Sequence, residues 1–393
     1  MNKLLLIIII MIATIGQIAI DIFLPSIPYI ASYFSTSVQT VELMISYYTA
    51  GFSLGTLFWG ALSDAFGRKN LVIIGLIFSS ITCVVCVFAP TINTLLLMRF
   101  IQGLFLSAGM TIARTIAKDL SKDSVEMSKL TSMIGIGYAI AVNISPAIGG
   151  YIEETFHHWQ ITFALLALFM ICLVILLLYK LPETLPKYKR HKLHIKIILS
   201  NYYQIISNLR FISFSTTSAC ALAGMMSYLT IAPYLLEVRI GLSPQNFGYT
   251  ALVFTVSLIM ASLSNKKFVA KYGIVRMLYY SGLIMLFSAL VMTFFALFHL
   301  LNTWVILLPM MTFILASGIA FSNGGSGAIG CFQDKAGSAS SLYSCLQMLG
   351  GMAGSFLITK FSHENQMGLC ILLILYATIV LGLVQFLNIK RKL

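Results

Sequence analysis

Residues 60–70 read GALSDAFGRKN, a short charged turn between two long apolar segments. The apolar segments cover about residues 39–62 and 70–89. Each is about twenty residues long, which is the length an α-helix needs to cross a bilayer core of about 30 Å at 1.5 Å per residue. The stretch therefore predicts two transmembrane helices joined by a tight charged connection.

The same composition continues through all 393 residues, of which 59% are hydrophobic and 9% charged, with a mean hydropathy of +0.94. An ordinary soluble domain has roughly a quarter of its residues charged. This composition excludes a soluble enzyme, a disordered chain and a disulfide scaffold. The net charge of +13 is spread over the connections between apolar segments. We therefore read it as a membrane topology signal and expect no nucleic-acid partner.

Hydropathy in windows of about nineteen residues predicts twelve transmembrane helices. The one long break is a basic stretch at 182–207, which divides them into six and six. We expect an all-α integral membrane protein with a first six-helix half at 1–181, a basic cytoplasmic linker at 182–207 and a second half at 208–393. The predicted helices cover residues 4–31, 39–62, 70–89, 92–118, 129–152, 159–181, 208–237, 245–264, 273–299, 303–323, 335–360 and 366–388.

Lysine and arginine residues predict the orientation, because cytoplasmic loops carry the positive excess. With the N-terminus inside, 21 of the 25 basic residues lie on or beside the cytoplasmic face. Only Arg239 and Lys360 fall on the opposite face, and Arg99 and Arg114 lie within a span. We therefore expect a multi-pass membrane protein with both termini in the cytoplasm.

Reporter fusions test this topology. Fusions after Lys192 and after Leu393 should report a cytoplasmic location, and a fusion after Glu154 should report the periplasm. A periplasmic C-terminus would contradict the twelve-helix count and the two-half arrangement together.

Several short motifs carry charged or helix-breaking residues inside or beside the predicted spans. Asp64 ends the second span within reach of Arg68 and Lys69, near a helix N-terminus where an anion is favoured. The fourth span, MRFIQGLFLSAGMTIARTIAKDL (98–120), contains two arginines. Arg99 costs at least about 2.5–3.5 kcal/mol inside a membrane, so it should face a cavity or a partner, whereas Arg114 approaches the cytoplasmic edge.

The fifth span contains SPAIGG at 145–150. Pro146 removes a helix hydrogen bond and kinks the helix. Gly149 and Gly150 allow a neighbouring helix to approach closely. This pattern is typical of ordinary small-residue packing in membranes and also of a functional helix crossing.

These motifs together resemble the major facilitator superfamily. Residues Gly60, Asp64, Gly67, Arg68 and Lys69 match its loop signature, although Ala65 replaces an arginine. MRFIQG is similar to its R-F-x-Q-G element, and SPAIGG resembles the element associated with its antiporters. The resemblance implies two six-helix halves with the substrate site between them near the midplane. It also implies that the loop acts as a conformational latch.

Finer matches resemble the Bcr/CflA group of drug-resistance transporters within that family. They run in order along the chain as DIFLP (21–25), SDAFGRK (63–69), ARTIAKDL (113–120), LPETLP (181–186), GLSPQNFG (241–248) and AGSASS (336–341). The chain departs from the group at Gln160 and Ser322. The resemblance implies proton-coupled efflux of small toxic or drug-like molecules across a bacterial inner membrane, with the proton gradient as energy source and no bound cofactor or metal.

Acidic residues inside the spans are the candidates for proton coupling. The first half has two, Asp21 and Glu42, whereas the second half has acids only near span ends. Asp21 is the main candidate, because burial and a nearby Arg99 would act on its pKa in opposite directions. Glu42 lies close enough to the outer surface that a hydrated helix start is equally consistent. Candidate residues for a substrate cavity are Tyr47, Tyr138, Asn143, Tyr228, Asn323 and Gln347.

Other classes of function fit less well. A transporter of a natural metabolite, such as a siderophore, an amino acid or a sugar, remains the alternative within transport. An intramembrane serine protease would need a histidine inside a span, and the six histidines lie in loops or at span edges. An ATP-driven pump would need G-x-x-x-x-G-K-[ST], which the chain does not have. We therefore expect a monomeric transporter that contacts lipid, a small-molecule substrate and protons, and not an enzyme.

Overall fold

The computed structural model describes residues 3–121, 123–186, 188, 190 and 193–389. Lys192 and Leu393, the two cytoplasmic fusion points, lie outside the described residues. In the described part of the chain every regular element is helical. The helices are α1 (Lys3–Asp21), α2 (Ile27–Tyr33), α3 (Val38–Phe66), α4 (Arg68–Val87), α5 (Ile92–Leu120), α6 (Ser124–Phe156), α7 (Gln160–Lys180), α8 (Ile195–Ile206), α9 (Leu209–Pro233), α10 (Pro244–Tyr272), α11 (Ile274–Leu297), α12 (Thr303–Gly330), α13 (Ala336–Ile358) and α14 (Met367–Ile389).

These helices reproduce the predicted spans. Helices α1 and α2 form one span with a 3₁₀ turn at Leu24–Ser26 between them. The turn lies where Pro25 removes a backbone donor from the helix. Within the described residues, eleven segments are long and apolar enough to cross a membrane. Helix α3 is the remaining spanning segment and brings the number to twelve; it is the second in chain order. Its polar side chains make it less apolar than the other eleven.

The structure corrects the sequence reading of the linker. The polar stretch 182–207 contains helix α8, which hydropathy windows of nineteen residues are too long to detect. Its side chains are mostly exposed, but Ile205 is buried and the Tyr202 hydroxyl donates to the Leu57 carbonyl at 2.9 Å. The linker helix therefore packs against the transmembrane helices.

Helix packing divides the molecule into two groups that meet along two seams. Helix α5 packs on α1, α3 and α4, and α9 packs on α12, α13 and α14. Across the groups α3 packs on α13, and α6 packs on α10. Small residues bring the helices into backbone contact. At Gly103 an added Cβ would overlap the Tyr48 carbonyl oxygen of α3.

The two ends of the bundle differ in charge. We call the end that carries Glu42, Glu153, Glu154 and Glu237 the acidic end. We call the end that carries the turn at 67–69 and the linker the basic end. These names hold irrespective of the side of the membrane on which each end lies.

Candidate functional site

Asp21 is the last residue of α1 and lies just before the proline break. Its side chain is 2% exposed. Gln17, one helical turn earlier, donates its amide to Asp21 Oδ2 at 2.8 Å. Among the described residues no basic group lies within ion-pair distance of Asp21, although Arg99 is close enough to act on its charge. Asp21 is thus a buried carboxylate held by a neutral amide.

A line of polar groups leads from Asp21 toward the basic end. The Tyr138 hydroxyl of α6 donates to Gln17 Oε1 at 2.7 Å. Arg114 of α5 lies within electrostatic range of Tyr138. The line therefore joins α1, α6 and α5. Tyr138 and Arg114 were predicted separately, and Gln17 was not predicted, although its spacing of four residues from Asp21 places both on one face of α1.

Arg99 of α5 is completely buried, and aromatic rings are its main partners. Its guanidinium carbon lies 4.4 Å from the ring centres of both Phe23 and Tyr48. Its Nη1 donates to the Ala19 carbonyl at 3.0 Å and to Gln102 Oε1 at 2.6 Å. A desolvated cation–π contact contributes about 2 kcal/mol. The partner expected for this arginine is therefore an aromatic enclosure that joins α1, α3 and α5.

A cavity of about 500 Å³ lies at the basic end between the two helix groups. Arg114 and Thr111 of α5 contribute one polar wall. Gln347 and Tyr343 of α13 contribute the opposite wall, and Tyr202 of α8 lies at its edge. The cavity is therefore formed by both halves together with the linker helix.

Of the six residues proposed for a substrate cavity, Gln347 lines this cavity and the other five lie elsewhere. Asn143 donates to its own helix at the Ala139 carbonyl, and Asn323 donates to Asn265 Oδ1 at 2.6 Å. Tyr228 is 1% exposed and packs edge to face on Phe254. Tyr138 joins the Asp21 line, and Tyr47 is 43% exposed on the surface of α3. In this structure most of this set thus packs on or hydrogen-bonds to groups of the helices, and Gln347 lines the cavity.

An apolar cavity of about 560 Å³ lies between α1 and α6. Isoleucines spaced one helical turn apart line its α6 side at 136, 140, 144 and 148. Thr14 and Ser145 are its polar lining residues. The walls of α1 and α6 thus offer an apolar surface that shares no lining residue with the polar cavity.

Arg68 organises the charged turn between α3 and α4. It is 6% exposed and binds Asp64 at 2.6 Å and Asp119 at 3.2 Å. Its backbone N–H donates to Glu183 Oε1 at 2.9 Å. The turn therefore connects α3, α4, α5 and the start of the linker. Lys69 donates to the Leu178 carbonyl at 2.9 Å and adds α7 to the network.

Gly67 has a structural reason for its place in this turn. Its φ is +101°, which favours glycine, and an added Cβ would overlap the Glu183 carboxylate. Gly60 faces Ser341 of α13 across the cavity. The signature thus faces α13 through Gly60, and through Arg68 it connects helices of its own half.

Asp64→Asn should slow transport while the protein remains folded. The side chain of Asp64 is 52% exposed, and exposed ion pairs stabilise folding by at most about 1 kcal/mol. Arg68 keeps Asp119 in the variant. A change of about 1 kcal/mol between conformations alters their ratio about fivefold, so we expect up to about a fivefold loss of transport rate at equal protein level. Undiminished transport would make Asp64 a topology residue only.

The SPAIGG segment forms the crossing between α6 and its neighbours. A Cβ at Gly149 would overlap the Ile22 carbonyl oxygen, and one at Gly150 would overlap the Pro244 carbonyl oxygen. From the other side, a Cβ at Gly248 would overlap the Pro146 carbonyl oxygen. The motif therefore lets α6 touch the α1 break and α10 of the other half at backbone distance.

The acidic end is closed by direct contacts between the halves. Glu42 Oε2 lies 2.8 Å from Nε2 of His363, a residue in the loop between α13 and α14. Glu42 is 0% exposed, so the hydrated helix start considered for it is wrong. One turn further along α3, Ser46 donates to Ser355 of α13 at 2.9 Å. His363 was not predicted as a site residue, because hydropathy assigns it to a loop.

A bundle of two helix groups that is closed at one end, with a cavity between the groups at the other, is the architecture of a membrane transporter. A family model described as Major Facilitator Superfamily matches residues 6–355. The chain belongs to the major facilitator superfamily, and it is a transporter, not an enzyme.

Named relatives agree with this assignment. The chain is 27% identical over 361 residues to the "Bicyclomycin resistance protein homolog" of Haemophilus influenzae, covering 90% of each chain. It is 23% identical to the "Multidrug resistance protein D" of Escherichia coli, covering 96% of this chain and 94% of that one. The crystal structure of a D-xylose-proton symporter superposes with a TM-score of 0.71 at 13% identity, covering 98% and 96%. The last comparison shows the fold alone.

Proposed function

We propose that this protein exports small toxic or drug-like molecules across the bacterial inner membrane in exchange for protons, by alternating access. The acidic end faces the periplasm and the basic end the cytoplasm, in line with the distribution of lysine and arginine. The observation that carries the proposal is the buried Asp21, linked through Gln17 and Tyr138 toward the cavity wall at Arg114.

The cavity chemistry supports drug-like substrates. A polar cavity with Arg114 and Gln347 lies at the same end as the inner part of an apolar wall of α1 and α6. Molecules with one polar group on an apolar body match these two kinds of surface. Relatives named for resistance to bicyclomycin and to multiple drugs point to the same substrate class.

The conformational cycle follows from the contacts. In the closed arrangement of the acidic end, substrate enters the cavity from the cytoplasm. Opening of the acidic end requires separation of α3 from α13 and of α6 from α10, which are the two seams. Asp21 adjoins the α1 break, where Ile22 touches Gly149 of the α6 crossing. Protonation or deprotonation of Asp21 therefore takes place next to the crossing of α6, which forms the α6–α10 seam.

A susceptibility panel with a transport assay tests the proposal. Cells that express the protein should resist some of the lipophilic cations, chloramphenicol-like neutral drugs or bicyclic antibiotics tested. Proteoliposomes should concentrate the selected compound when a pH gradient is imposed and stop when a protonophore collapses it. Flux that follows the compound's own gradient only, or uptake of a metabolite in place of drug efflux, would contradict the proposal.

A further inference from the structure

The Glu42–His363 pair joins the two halves of the protein at the acidic end. Glu42 belongs to α3 and is 0% exposed. His363 follows α13 in the chain and is 2% exposed. With Ser46–Ser355 and Ser53–Cys345, the pair lies along the α3–α13 seam. Separation of the halves at this end therefore breaks the pair.

The hydrogen bonds of His363 define how many protons the pair holds. Nδ1 of the ring lies 2.8 Å from the Phe361 carbonyl oxygen, which can only accept, so Nδ1 carries a hydrogen. Nε2 lies 2.8 Å from Glu42 Oε2. A neutral ring with its hydrogen on Nδ1 and an ionised Glu42 would place two acceptors against each other. The observed contact therefore needs one further proton, either on Nε2 or on the Glu42 carboxyl.

The groups around the pair determine whether another group could take the place of this proton in the contact. Tyr234 packs its ring edge to face on His363, with 5.8 Å between the ring centres. Glu364 is exposed next to it, and Lys360 lies over the Phe356 ring 4.7 Å away. Glu42 Oε1 is buried without a hydrogen-bond partner among the described residues. Among the described residues, no second group therefore donates a hydrogen bond to the Glu42 carboxylate in place of the shared proton.

We propose that Glu42 and His363 form a second proton-binding site, and that a proton taken up there closes the acidic end. When the proton is present, a buried hydrogen bond holds α3 to the second half. When it leaves, the two acceptors repel each other and the contact is lost. The direction of this step in the transport cycle rests on the proposed function. In that function, a periplasmic proton returns the exporter to its cytoplasm-facing state.

The electrostatics of the loop histidine support this direction. Burial opposes a charge on His363, but the hydrogen bond and the charge of Glu42 outweigh it, so the pKa of His363 is raised above its ordinary value. A raised pKa in the closed state means that the protonated form favours closure. This contribution is complete below the ordinary pKa of His363, and it is lost as the pH rises through the raised one.

Distance measurements on the purified full-length protein in lipid nanodiscs test the proposal. Spin labels at Phe88→Cys and Leu300→Cys, exposed positions in the two halves, report the separation at the acidic end on a background without native cysteines. No substrate or gradient is added. Between pH 5 and pH 9 the open-to-closed ratio should rise by up to tenfold per pH unit, because one proton separates the two states.

Amide variants identify the group responsible. His363→Gln and Glu42→Gln each supply a fixed donor, so either variant should stay closed over the whole pH range. His158→Gln and Glu364→Gln replace exposed groups at the same end and should keep the wild-type response.

A wild-type protein whose distances do not change with pH, or amide variants that keep the wild-type midpoint, would overturn the inference. The distance distributions also show whether each amide variant is folded. If one variant misfolds, the other still tests the inference. Proton-driven efflux that persists without pH-dependent opening would overturn this inference alone and leave the proposed function standing.

Discussion

Asp21→Asn should abolish uphill transport while the protein inserts and binds substrate normally. The variant keeps the side-chain volume and an oxygen that accepts from Gln17, which donates to the wild-type carboxylate at 2.8 Å. It loses the proton that we propose is exchanged. A proton moving down 100 mV supplies about 2.3 kcal/mol, which sustains roughly a fifty-fold substrate gradient at 1.4 kcal/mol per tenfold. The accumulation ratio of the variant should therefore fall to about one.

Proteoliposome accumulation and substrate-induced proton release measure this loss. Asp123→Asn is the matched control, because Asp123 is exposed and caps α6 through an oxygen that asparagine retains. The control should transport like the wild type. If Asp21→Asn still concentrates substrate against a gradient that a protonophore collapses, the coupling site lies elsewhere, with Glu42 as the next candidate.

Arg99→Leu should destabilise the first half of the protein. The change removes the guanidinium stacked on Phe23 and Tyr48, and it leaves Gln102 Oε1 and the Ala19 carbonyl oxygen without this buried donor. A hydrogen bond to a charged group contributes about 1.5–3 kcal/mol, and a buried acceptor left unpaired costs a similar amount. A loss of about 3 kcal/mol corresponds to a melting temperature lower by about 6 °C or more for a unit of this size.

Thermal unfolding in detergent, followed by the amount of monodisperse protein, checks this expectation. Arg99→Lys keeps the charge without the flat stacking surface, so its melting temperature should be intermediate. Arg114→Leu is the comparison on the same helix. Arg114 lines the cavity, so this variant should lose transport while it melts close to the wild type. An Arg99→Leu protein that is as stable as the wild type and inactive would assign Arg99 to the transport site instead.

The helical spans could be predicted from the sequence because the bilayer sets their length. About twenty apolar residues are needed irrespective of the neighbours of a helix, so each segment carries its own signal. The glycine at position 67 is likewise a local requirement, since the turn needs a positive φ there. Helix α8 was missed because a twelve-residue amphipathic helix carries no such length signal.

Contacts between distant segments could not be predicted in this way. Glu42 and His363 are 321 residues apart, and nothing in either neighbourhood indicates the other. The environment of Arg99 follows the same rule, because its two stacked rings come from the break after α1 and from α3, while it belongs to α5. The sides of the helices on which Asn323 and Tyr228 lie could not be predicted either, because helix orientation is set by packing and not by residue type.

The sequence by itself thus determined the membrane class, the spanning segments, the charged turn around Asp64 and the presence of a carboxylate, Asp21, inside the first span. Each of these depends on local composition and on the thickness of the bilayer. Only the tertiary structure decided which polar groups of distant segments meet: Gln17, which holds Asp21, with Tyr138, and Glu42 with His363. A buried polar group must find its partner wherever the packed helices bring one, and that partner is set by the fold as a whole.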